Sequence, residues 1–202
     1  KKLPDEIPES IVDTLKQKSS VLPVAVTPIE GKVIKNNRLI LWNHRWEYDK
    51  NPQIFAEALL QLNEMNPAFE LALLGHRTKT KVEALLKIER HLGNKIIINE
   101  KVSRDDYRKY LAQSAIVVST AIHEFQGLSV LEAVSAGAVP LVPDDLCYRE
   151  QYEDEYRYRP GDSKMLAEKL FDCLLFLPDV PDVTYWYGKE LINDWYELLK
   201  HS

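Results

Sequence analysis

The chain has little cysteine: two residues, Cys147 and Cys173, in 202. They stand at no metal-ligand spacing. That excludes a disulfide framework or a zinc ribbon and fits a reducing, cytoplasmic location. No apolar run approaches the length of a bilayer span, and no signal-peptide pattern is visible, so no membrane role is expected. Positive charge is not in excess. Lys and Arg number 26 against 31 Asp and Glu, a net charge of −5. A stand-alone nucleic-acid binder is usually basic, so an RNA-binding domain is disfavoured. Glycine is scarce too, at seven residues. There is no GxGxxG dinucleotide fingerprint, no GxxxxGK[ST] P-loop and no GxSxG elbow. The acidic clusters Asp144-Asp145 and Glu153-Asp154-Glu155 lack a third ligand at a clear spacing. They read as solvated loops, and no metal site is expected.

What remains is a regular alternation. Apolar strand-like runs fall at 38–43, 69–74, 95–98, 115–119, 138–142 and, more briefly, 156–158. Helical spacing lies between them. Asn51-Pro52 opens one helix, with Ile54, Phe55, Ala58, Leu59 and Leu62 inside it. A second covers 79–91 and ends at Gly93. Ser103 with Asp106 opens a third in capping-box style. A small-residue helix follows Gly127 and ends at Gly137, Ser163 caps another, and a last one spans about 184–199, its Trp and Tyr read as packing residues. Several strands are apolar on both faces. The pattern predicts an α/β fold, a Rossmann-like doubly wound parallel sheet covered on both sides.

The most informative stretch is 123–140, HEFQGLSVLEAVSAGAVP. Two glutamates eight apart, Glu124 and Glu132, occur often by chance, and a Leu-Glu-Ala helix is ordinary core. The context makes them notable. A strand leads into a loop carrying Glu124, and a helix then begins at Gly127-Leu128-Ser129. Such a helix start offers free N–H groups and the positive end of a dipole, a place for a phosphate. Glu132 sits about one turn in. One ligand could meet a carboxylate, a row of N–H groups and a second carboxylate, as a sugar joined through a diphosphate to a ribose would.

In a parallel sheet, ligands bind beyond the carboxyl ends of the strands. The residues there are His44 to Lys50 after strand one, Gly75-His76-Arg77 after strand two, Asn99 to Val102 after strand three, and His123 to Gly127 after strand four. Arg45 and Lys50 are the natural diphosphate clamp on that rim. His44, His76 and His123 read more readily as hydrogen-bonded loop residues than as catalysts.

Arg45-x4-Lys50, Gly75, Val102-Ser103 before a helix, and Glu124-x7-Glu132 with Gly127-Leu128, in this order, resemble the C-terminal half of retaining GT-B glycosyltransferases of family 4. The likeness covers about 38–177. ILWNHRWEYDKNP and STAIHEFQGLSVLEAV resemble most the branch that transfers mannose to queuosine in tRNA. The resemblance implies that Arg45 and Lys50 stabilise the leaving nucleoside diphosphate. It places Gly127, Leu128 and Ser129 on the distal phosphate, Glu124 on the transferred sugar, Glu132 on the ribose and the Val102 backbone at the base. Gly75 and His123 join the substrate-binding set. It implies a nucleotide-sugar donor, GDP-mannose, with no cofactor or metal, and retention of anomeric configuration. The tRNA acceptor would be held mainly by an N-terminal domain outside this chain. Many relatives carry a second glycine soon after the position of Gly75, where His76-Arg77 stand here.

The expected organisation is therefore a linker over 1–35, a donor-binding domain over 36–180, and a C-terminal helix over 181–202 packing toward the acceptor domain. The chain alone is expected to bind donor without transferring sugar. The competing readings are a family 4 transferase with a different nucleotide-sugar and a glycan or small-molecule acceptor, and a non-catalytic nucleotide-sugar binding module.

Overall fold

A computed structural model describes residues 9–29, 33–76 and 82–200. Its centre is a parallel sheet of six strands in the order β3-β2-β1-β4-β5-β6. These are β1 (Asn36–Trp42), β2 (Glu70–Leu73), β3 (Ile96–Asn99), β4 (Ser114–Val118), β5 (Val139–Pro143) and β6 (Arg157–Tyr158). Strand order runs outward from β1 in one direction and from β4 in the other. The boundary between β1 and β4 is thus the switch point, where the loops after two adjacent strands part and leave a crevice.

Alternation along each strand feeds two cores. Ile40, Trp42, Leu71, Leu73, Ile116 and Val118 face one way, onto α2 (Pro52–Glu64), α3 (Glu83–Leu92) and α7 (Ser163–Leu175). Leu39, Leu41, Ala72 and Val117 face the other, onto α4 (Arg104–Gln113) and α5 (Leu128–Ser135). Both faces are covered, which is why β4 and β5 are buried at every residue. On α2, Phe55, Leu59 and Leu62 are fully buried, each contributing about 1.5–3 kcal/mol of apolar burial.

Several local expectations change in detail. The N-cap of α7 is Asp162, whose carboxylate accepts from the Met165 N–H; Ser163 is the first helical residue. Aspartate and serine are both good caps, and spacing alone could not rank them. Asn51 precedes α2 as expected but adopts a left-handed conformation, φ 45°, and its side chain caps nothing. Gly93 does not end α3 in a left-handed turn; its φ of −55° carries the chain into a 3-10 turn, Gly93–Lys95. The expected start of α3 at 79–81 and residue Arg77 lie outside the described residues. Ser103 does cap α4, its hydroxyl accepting from Asp106 N at 3.1 Å.

The segment read as a linker carries more structure than expected. It holds α1 (Glu9–Lys18), and Val26 is buried and bridges Tyr187. The last helix begins as a 3-10 turn, Thr184–Trp186, before α8 (Gly188–Lys200). Trp195 Nε1 donates to the Pro23 carbonyl, so α8 packs on the incoming segment. The short helix α6 (Tyr148–Gln151) is one turn behind the β4–α5 loop.

Candidate active site at the switch point

The loops after β1 and β4 meet over a cleft of about 460 Å³. Asn43, His44, Arg45 and Lys50 come from the first loop. Glu124, Phe125, Gln126, Gly127, Leu128 and Ser129 come from the second, and Val24 closes one side. Of the residues predicted from sequence, Arg45, Lys50, Glu124, Gly127, Leu128 and Ser129 therefore line one space.

Gly127 makes the turn into α5. Its φ is 65°, and a Cβ there would lie 2.9 Å from the Tyr148 ring. The position needs glycine for both its backbone and its space. Val130 and Leu131 give their N–H groups to the Gly127 carbonyl. The N–H groups of Leu128 and Ser129 have no backbone partner among the described residues and border the cleft. An eight-residue helix thus presents its positive end there.

Lys50 was expected on this rim, but its burial was not. It is only 8% exposed. Its Nζ reaches Glu124 Oε2 at 3.0 Å, Asp49 Oδ2 at 3.2 Å and the His123 carbonyl at 2.9 Å. Arg45 is half-exposed and pairs with Glu47 at 2.8 Å and Asp49 at 3.3 Å. The two cations are thus already engaged, against three carboxylates. Burial pushes the Glu124 carboxyl up, but the Lys50 hydrogen bond and charge, with the Gly127 N–H, hold it below its ordinary value. Glu124 is ionised at neutral pH and accepts hydrogen bonds rather than donating them.

His44 is 3% exposed, and burial lowers its pKa from 6.5 to about 4. Nδ1 lies 3.3 Å from Ser129 Oγ, while Nε2 is buried without a partner among the described residues. Gly75 is held close beneath: a Cβ on it would fall 1.8 Å from the His44 carbonyl oxygen. Its contribution here is to let β2 and the post-β1 loop touch.

Glu132 opens into a neighbouring groove rather than the cleft. Its Oε2 accepts the Tyr107 hydroxyl at 3.0 Å, and that hydroxyl accepts from Asn43 Nδ2 at 3.2 Å. Asn43 Nδ2 also donates to the Ser129 carbonyl at 2.8 Å. Asn43 and Tyr107 link the two glutamate sites and were not singled out by spacing. Asn43 had one usable signal, its place at the carboxyl end of a central strand; Tyr107 had none beyond a helical stripe. Val102 packs beside Tyr107 against the core. The His123 side chain is exposed, and its backbone makes the contacts, N–H to the Asp49 carbonyl and C=O from Lys50. Among the described residues no group of three or more His, Cys, Asp or Glu is placed to hold a metal ion.

A parallel sheet covered on both faces, with a glycine-opened helix at its switch point, has the Rossmann-like architecture of a GT-B glycosyltransferase domain. Solved structures share the fold. S. aureus TarM in complex with Fondaparinux, alpha-GlcNAc-glycerol and UDP matches with a TM-score of 0.76 at 17% identity, over 93% of this chain and 41% of that one. The pneumococcal O-GlcNAc transferase GtfA in complex with UDP and GlcNAc gives 0.76 at 13%, over 96% and 44%. The sequence is more specific. The profile of the family "Glycosyl transferases group 1" matches residues 28–175, and the chain belongs to that family. A tRNA-queuosine alpha-mannosyltransferase of Drosophila melanogaster is 37% identical over 133 residues, 66% of this chain and 35% of that protein. A GDP-mannose:cellobiosyl-diphosphopolyprenol alpha-mannosyltransferase of Xanthomonas oryzae is 30% identical over 110 residues, 53% of this chain and 29% of that protein. The chain spans about a third of the length of these curated relatives.

Proposed function

We propose that the switch-point cleft binds the diphosphate and sugar of GDP-mannose, and that the domain serves retaining transfer of mannose to queuosine in tRNA. The carrying observation is the convergence of Lys50, Glu124 and the unpartnered N–H groups of Leu128 and Ser129 on one cleft. The donor assignment is supported by the two curated relatives, both mannosyltransferases by name. The acceptor is supported by the first of them.

In this reading the α5 N-terminus takes the distal phosphate, and Arg45 and Lys50 neutralise the charge that builds as the sugar leaves. Fixed donors of this kind stabilise a developing anion without reorganising. No metal is required. Lys50 is oriented by Glu124 and Asp49, so it meets the diphosphate as part of a preset array. Glu124, kept ionised, accepts from hydroxyls of the mannose. Glu132 accepts from the ribose. The acceptor domain would rest against α8, where Ile192, Tyr196 and Leu199 are each more than 60% exposed.

Titration calorimetry against GDP, UDP and ADP without metal tests the donor. GDP should bind, and Arg45→Ala with Lys50→Ala should weaken it by about 1.5–3 kcal/mol per charge-assisted contact. Unchanged affinity would remove the clamp. Incubated with GDP-mannose and queuosine-containing tRNA, the chain alone should bind donor and leave the nucleoside unmodified by mass.

A further inference from the structure

The groove that holds Glu132 is about 320 Å³ and lies between α4 and residues 27–29. Its carboxylate has the Tyr107 hydroxyl on one oxygen. Arg104 and Arg108, four apart on α4, line the same groove, and Ile29 supplies an apolar wall. Neither guanidinium makes an ion pair or hydrogen bond among the described residues. They stand off Glu132 and leave space between.

An acceptor-only carboxylate and a donor-only fork across one groove call for a ligand with hydroxyls at one end and adjacent acceptors at the other. A phosphodiester fits poorly, because Glu132 would repel it. A guanosine fits. Its ribose carries the hydroxyls, and guanine presents O6 and N7 side by side, the pair that an arginine fork binds bidentately. Adenine sets an amino donor beside N7, and uracil has no N7 at all.

We propose that Arg104 reads the O6/N7 edge of guanine and makes the site select guanosine over other nucleosides. This rests on the donor reading above, in which Glu132 faces the ribose. Arg104 is chosen over Arg108 because it borders this groove alone. Arg108 also borders an adjoining groove of about 520 Å³ that runs toward Val33 and Ala112.

The test is metal-free calorimetry of GDP, 7-deaza-GDP and UDP on the parent, Arg104→Ala, Arg104→Lys and Arg108→Ala, with circular dichroism to check the fold. Arg104→Ala should weaken GDP about 5- to 150-fold, the span of one bidentate base contact, and leave UDP unchanged. The penalty for 7-deaza-GDP should be smaller, since one acceptor is already gone. Arg104→Lys should not restore GDP binding, because an ammonium cannot reproduce the fork. Equal loss of GDP and UDP would reassign Arg104 to general attraction of the diphosphate and overturn the proposal. So would selective loss in Arg108→Ala, or no change in Arg104→Ala. If the parent binds no nucleoside diphosphate, the donor reading itself fails and the proposal falls with it.

Discussion

Lys50→Met keeps the aliphatic stem and removes the charge at the centre of the cleft. Glu124 then faces burial with only the Gly127 N–H and its own loop to satisfy it. Breaking a buried ion pair from one side costs about 3–5 kcal/mol. Here the Lys50 side chain is 10% exposed and that of Glu124 16%, with Asp49 at 27%. Water reaches the carboxylates in part, so we expect about 2–3 kcal/mol. Urea unfolding at pH 7 measures it. Lys50→Met with Glu124→Gln should recover a good part of the loss, since it leaves no orphaned charge.

The pH dependence follows from the same pair. In the parent, the Glu124 carboxyl lies below its ordinary 4.5. Its stabilisation is in place above that value and is lost as pH falls through the depressed one. In Lys50→Met, burial dominates and the direction reverses, so ionisation destabilises and acid relieves it. The gap between variant and parent should be widest near neutral pH and narrow below about pH 4. A loss under about 0.5 kcal/mol, the scale of an ordinary surface pair, or a gap independent of pH, would refute the reasoning.

Three further outcomes are expected. Tyr107→Phe removes the hydroxyl that holds Glu132; calorimetry should show GDP weakened by about 0.5–1.5 kcal/mol and 2′,3′-dideoxy-GDP unaffected. His44, buried neutral with a pKa of about 4 against 6.5 unfolded, contributes stability that is complete above 6.5 and is lost as pH falls toward 4. His44→Gln should flatten that limb of the stability–pH curve, worth on the order of 3 kcal/mol. Gly75→Ala would set a methyl 1.8 Å from the His44 carbonyl oxygen, and a thermal melt should show a loss of about 3 kcal/mol because a backbone atom must move.

The order of strands and helices was legible because the two kinds of apolar pattern differ. The strands are short continuous apolar runs, as in Leu39 to Trp42, and the helices carry the 3.6-period of Phe55, Leu59 and Leu62. The lining of the cleft was legible wherever a residue stands just beyond a strand end, as Arg45, Lys50, Glu124 and Gly127 do. Partnership was not. Nothing in the spacing says that Lys50 is buried and bound to Glu124, 74 residues away. Nothing says that Glu132 sits behind Tyr107 and not beside Glu124. Those facts come from how α4, α5 and the post-β1 loop pack, and packing over long sequence separations leaves no periodic trace. The same limit explains the docking of Val26, whose partners Trp186 and Tyr187 lie at the other end of the chain.

Gln126 carries a consequence of its own. Its side-chain amide accepts from Val24 N at 2.8 Å and donates to the Val24 carbonyl at 2.7 Å, as one more strand residue would. Its carbonyl is held in turn by Gln151 Nε2. The loop that carries Glu124 is thereby stitched to the segment ahead of the sheet, and the two share one opening equilibrium. Amide exchange at Val24 becomes a reporter on the loop that carries Glu124. A ligand seated against Glu124 and Gly127 should slow exchange at the Val24 amide, and a pull on residues 21–26 should be felt at the cleft.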